Sequence, residues 1–66
     1  MLRERQILGA LRDGISDPTK IVERIYPRLA TPLVPVARES VVAHLLKLEK
    51  DGVTRRDGEA WHIIDP

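Results

Sequence analysis

Apolar residues recur at helical spacing through most of the chain and then switch to strict alternation near its end. Between residues 2 and 13, Ile7, Leu8 and Leu11 fall on one face, and Arg3, Glu4, Arg5 and Arg12 are the polar positions around them. Gly14 is a natural stop for this helix, because it can take φ > 0 past a helix end. A second helix over 17–26 begins at Asp17, a good N-cap, with Pro18 at the first helical position. Ile21, Val22 and Ile25 form its short stripe. Pro27 ends it by disfavouring helical geometry at Tyr26. Residues 27–35 carry Pro27, Pro32 and Pro35 and read as an ordered connector with room for one short helical turn. Its Leu29, Leu33 and Val34 are too apolar for a free linker and should pack.

The third helix, over 34–51, is the longest, and Gly52 ends it. At about 100° per residue, Val34, Ala37, Val41, Leu45 and Leu48 make the core stripe. Glu39, Ala43, Lys47 and Lys50 lie opposite. Val42 and Leu46 sit apart, about 100–140° from the core centre. Residues 53–64 read as a hairpin, Val53–Arg56 and Glu59–Ile64 around an Asp57-Gly58 turn. Trp61 and Ile63 share one face, His62 and Ile64 the other, so Trp61 should anchor the hairpin on the helices. Three helices followed by a hairpin is the order of a small winged helix. The predicted fold is mainly α with a small β-hairpin, a three-helix bundle plus a two-stranded wing, in one domain over 1–66. The third helix takes the recognition-helix position, and residues 55–59 form the wing tip.

Composition narrows what such a domain can do. At 66 residues, a chain buries only about 60% of the surface it exposes when unfolded, so its stability is marginal. It has no cysteine, which excludes disulfides and thiolate metal sites. Its two histidines, His44 and His62, are too few for an all-protein zinc site. Eleven basic residues against ten acidic give a net charge of +1, too little for a strong sequence-independent grip on nucleic acid. No apolar run approaches the ~18–20 residues of a membrane span, and Met1–Arg5 lacks the apolar core of a signal peptide. A soluble, cytoplasmic domain with no membrane partner is expected. Its thin core suggests that it leans on something larger.

No catalytic constellation stands out. Ser16 and Ser40 lack a Gly-x-Ser-x-Gly setting, and no glycine-rich phosphate loop exists. His44 reads as a partly buried structural residue and His62 as a surface one. Lys47, Lys50, Arg55 and Arg56 are the nucleic-acid contact candidates, able to meet phosphates. The exposed helix face offers Glu39, Ser40, Ala43 and Lys47, a poor set for reading bases. Glu39, Glu49, Asp51, Asp57 and Glu59 dilute the positive field, so a solvated helix and wing is favoured over specific DNA reading. Leu29, Leu33, Val42 and Leu46 are the docking candidates, an apolar patch that a monomer should not leave exposed. Two readings of that patch stay open. It docks on a larger partner, or the connector folds over it.

The run Ile25-Tyr26-Pro27-Arg28-Leu29, then Ala37 to Gly52 with Ser40-Val41-Val42-Ala43-His44-Leu45-Leu46-Lys47-Leu48 inside it, then a basic wing and Trp61, carries a resemblance. It resembles the C-terminal winged-helix domain attached to metallo-β-lactamase-fold hydrolases, the β-lactamase-like protein 2 group, over about residues 4–64. The resemblance implies a small accessory domain behind a zinc-dependent catalytic domain. Such proteins include endoribonucleases on single-stranded RNA and thioester or lactone hydrolases. The His-x-His-x-Asp-His zinc motif of that fold is absent here, so the resemblance implies no activity and no cofactor in this domain, with zinc in the parent catalytic domain. Tyr26, Pro27, His44, Leu45 and Leu48 match as fold markers.

The expected function is therefore a non-catalytic domain that docks on the catalytic metallo-β-lactamase-fold domain of the same parent chain and shapes substrate access. Single-stranded RNA or DNA is a weak further partner. The start at Met1 suggests an excised or separately made domain. The alternative is a stand-alone winged-helix DNA- or RNA-binding module of the transcription-regulator type. The connector from Pro27 to Leu33 is longer than the roughly 3–4 residues of a helix-turn-helix, and this and the small net charge weigh against it.

Overall fold

The computed structural model describes residues 2–64. Helix α1 spans Leu2–Arg12, α2 Pro18–Ile25 and α3 Val34–Lys50, and a 3₁₀ turn at Thr31–Leu33 leads straight into α3. Strands β1 (Thr54–Asp57) and β2 (Ala60–Ile63) pair antiparallel. This is the mostly helical fold with a two-stranded wing that the pattern predicts. The start of α2 shows the local cause. The Asp17 carboxylate accepts the Thr19 N–H at 3.0 Å, and Pro18, which has no N–H to satisfy, sits behind it.

Ile7, Ala10 and Leu11 of α1, Ile21 and Val22 of α2, Val41 and Leu45 of α3, and Trp61 of β2 form one buried cluster. Leu29 and Val34 lean on its edge. Leu33 does not, and remains 52% exposed. The 3₁₀ turn runs without a break into α3, so Leu33 and Val34 point in different directions, and Val34 takes the core.

The end of α3 aims the wing. Gly52 has φ +79, its N–H donates to the Glu49 carbonyl at 3.0 Å, and the Val53 N–H donates to the Leu48 carbonyl at 2.8 Å. This left-handed cap reverses the chain within two residues. Thr54 therefore lands against α3, where its hydroxyl donates to the Leu45 carbonyl at 3.1 Å. Thr54 is the one buried polar side chain among the described residues. Strand β2 is fastened to the junction of α1 and α2 through the Trp61 N–H, which donates to the Ser16 carbonyl at 2.9 Å.

Turn chemistry shifts the hairpin from its predicted register. Asp57 pairs with Ala60, so the central turn residues are Gly58 and Glu59, not Asp57 and Gly58. Gly58 alone has positive φ (+63), as a type II′ turn requires, whereas a central Asp-Gly pair would need both residues there. Moving the turn by one residue moves each pairing by two, so inside and outside are conserved. Thr54, Arg56, Trp61 and Ile63 share the inner face. Arg55 and His62 pair on the outer one. His62 is half-buried there rather than free at the surface.

One helical position carries avoidable instability. A Cβ added at Gly9, inside α1, would meet nothing within 4 Å. Gly9→Ala is expected to raise stability by about 0.5–1 kcal/mol, because alanine loses less backbone freedom on entering a helix. The melting temperature should rise by about 4 °C in a domain this size. An unchanged or lower value in a calorimetric scan would show that Gly9 is held by something other than local helix energetics.

Candidate interaction surface

The two flanks of α3 differ in what they carry. On the flank toward α1, Lys47 Nζ donates to Glu4 Oε2 at 3.1 Å and lies 3.4 Å from Asp51 Oδ2, one turn along the helix. His44 Nδ1 is 4.0 Å from the same Glu4 oxygen. The hydrogen bonds to Glu4 and Asp51 raise the Lys47 pKa, so this amine stays charged throughout the neutral range. Two carboxylates nevertheless match its charge. Lys47 is therefore a tie between α1 and α3 more than a free cation.

Strand alternation separates the wing arginines. Arg55 stands on the outer face. Arg56 stands on the inner face, opposite Trp61, with its guanidinium 5.2 Å from the ring centroid. Lys50 is exposed, with no ion pair among the described residues. The four basic candidates thus do not gather into one stripe.

Nor do the four apolar candidates form one patch. Leu29 lines a shallow apolar hollow of about 360 Å³ with Tyr26, Pro27 and Arg28. Val42 lines a different cleft, on the wing side of α3. Leu33 and Leu46 are separated by about 20 Å along the α3 axis at 1.5 Å per residue. Leu46, one turn beyond Val42, is 43% exposed. The connector does not cover it.

The wing-side cleft, of about 190 Å³, is bounded by Pro18 at the start of α2, Arg38 and Val42 of α3, and Arg56, Glu59 and Trp61 of the wing. Arg38 was not among the sequence candidates. It precedes Val42 by one helical turn, so the step that puts Val42 on the flank also puts Arg38 there. Its Nε donates to Thr19 Oγ1 at 3.2 Å, which ties α3 to α2. The hairpin register was the signal for Arg56, since it places that side chain across from Trp61.

No group of His, Cys, Asp or Glu able to hold a metal ion occurs among the described residues, and His44 and His62 lie on separate elements. No described helix is long and apolar enough to cross a membrane.

Three helices, a left-handed cap and a two-stranded wing packed through Trp61 define a winged helix. Residues 18–61 match the family described as the beta-lactamase associated winged helix domain, and the chain belongs to that family. The matched span runs from the first residue of α2 to Trp61, and so includes every wall of the wing-side cleft. No curated protein and no solved structure matches the chain significantly.

Proposed function

We propose that this is a non-catalytic accessory domain of a metallo-β-lactamase-fold hydrolase. It docks on the catalytic domain of the same parent chain and shapes the path of substrate to a zinc centre held there. A cytoplasmic setting goes with this reading. The observation that carries it is the apolar flank of α3, with Leu46 43% exposed and Val42 half-buried one turn before it, in a domain whose family is described as beta-lactamase associated. An exposed leucine one turn from a half-buried valine is what an interface leaves when its other half is absent.

A free nucleic-acid-binding role fits the charges less well. Lys47 is matched by Glu4 and Asp51, and Arg55 and Arg56 face opposite ways. Lys50 and Arg55 supply no more than a weak phosphate contact, which would suit a guided single-stranded RNA substrate better than a stand-alone binding module. Val42→Asp combined with Leu46→Asp in the parent protein tests the docking. Both the melting temperature and turnover should fall, with zinc content unchanged. Wild-type values for both would remove the reading.

A further inference from the structure

The wing-side cleft carries more chemistry than an apolar docking face needs. Two arginines line it, Arg38 from α3 and Arg56 from β1. Neither makes an ion pair among the described residues. Each is nevertheless held at one point. Arg38 is anchored through Nε on Thr19, which leaves its two terminal amino groups for another acceptor. Arg56 has its guanidinium carbon 5.2 Å from the centroid of the Trp61 ring, within cation–π range, and no ion pair among the described residues takes up its N–H donors. Arginines fixed in this way lose little further freedom when they bind.

We infer that Arg38 and Arg56 together receive a carboxylate side chain of the domain's protein partner, with an apolar neighbour of that carboxylate seated on Val42. This rests on the docking reading above and adds the chemistry of the partner's surface, an acidic residue beside an apolar one. Three features favour a carboxylate over a nucleic-acid phosphate. Glu59 lines the cleft and Asp17 lies on its continuation toward Ser16, so two carboxylates offset the two arginines and the local field does not draw in a polyanion. Trp61 is only 3% exposed, so it offers no open face for a base to stack on. Val42 adds an apolar contact between the two arginines' elements, and arginine beside apolar side chains is the composition of a protein interface. A carboxylate accepts two N–H donors from each planar fork, a geometry that a guanidinium supplies and an ammonium does not.

The test uses phenylglyoxal, which reacts with accessible guanidinium groups, read residue by residue by mass spectrometry. Arg28 and Arg55 serve as exposed references within the same molecule. In the intact two-domain protein, Arg38 and Arg56 should react about tenfold more slowly than in the 66-residue chain, the protection given by a docked state favoured by about 1.4 kcal/mol. Val42→Asp with Leu46→Asp should restore the rates. Arg38→Lys, which keeps the charge at an exposed position and gives up the Nε bond to Thr19, should also release Arg56. If the apolar double variant lowers the melting temperature while Arg38 and Arg56 react as fast as Arg55, the carboxylate inference falls and docking stands. If neither the double variant nor the domain context changes anything, both fall. Protection that appears only after polyuridylate is added assigns the cleft to phosphate and overturns the inference.

Discussion

Trp61→Ala is expected to cost about 3–5 kcal/mol of folding free energy, the range for deleting a fully buried large aromatic side chain. Trp61 is the one tryptophan of the chain, 3% exposed, and it joins the wing to the cluster formed by all three helices. A 66-residue domain holds only about 3–10 kcal/mol in total at the usual stability per residue. The variant should therefore lose most of its cooperative unfolding transition at 25 °C. The cavity is one cause. A second is that the guanidinium of Arg56 loses the ring it lies over, a contribution of about 0.5–1 kcal/mol. Trp61→Phe keeps an aromatic platform and should cost only about 1–2 kcal/mol. Urea unfolding followed by far-ultraviolet circular dichroism is the appropriate measurement, because the alanine variant has no tryptophan to report. A midpoint near the wild-type value would mean that the wing is held by its backbone bonds to Ser16 and α3 rather than by the indole.

The parts of this fold legible in the sequence are those governed by neighbours within one turn. The Asp17-Pro18 cap, the reversal at Gly52 and the stripe from Val41 to Leu48 are all local, and all stand where the pattern puts them. The hairpin turn is one residue off because Asp-Gly serves two turn types, and the sign of φ at Asp57, which is not positive here, separates them. What stayed hidden depends on residues far apart in the chain. Nothing in the sequence around Glu4 announces Lys47, which reaches it across two other helical segments and a connector. Thr54 reads as an ordinary strand threonine, and its burial follows from where α3 happens to present the Leu45 carbonyl. The cleft was half legible. Helical stepping finds Arg38 beside Val42, and strand alternation separates Arg56 from Arg55, but their convergence needs the angle at which the wing returns to α3. Grouping residues by charge or by apolarity placed Lys47 with Arg56, and Leu33 with Leu46. The geometry separates both pairs.

Adjacent leucines of α3 should give opposite results, and the contrast bears directly on function. Leu45 is fully buried in the central cluster, so Leu45→Ala is expected to cost about 2–5 kcal/mol in the 66-residue chain. The carbonyl of Leu45 would still accept from Thr54, so the loss reports side-chain packing alone. Leu46 projects from the next position and is 43% exposed. Leu46→Ala should change the stability of the isolated chain by no more than about 0.5 kcal/mol, the usual scale for a surface substitution. Much of the Leu46 side chain is left without a cover among the described residues, and its apolar surface raises the risk of self-association. In a protein carrying both domains the partner would bury that side chain, and the same Leu46→Ala change should then cost about 2 kcal/mol or more of docking free energy. Chemical denaturation of the two variants in both contexts distinguishes the cases. A Leu46 effect that is equally small in isolation and in the two-domain protein would place the partner elsewhere on the surface. An effect already large in the isolated chain would mean that α3 packs its flank internally.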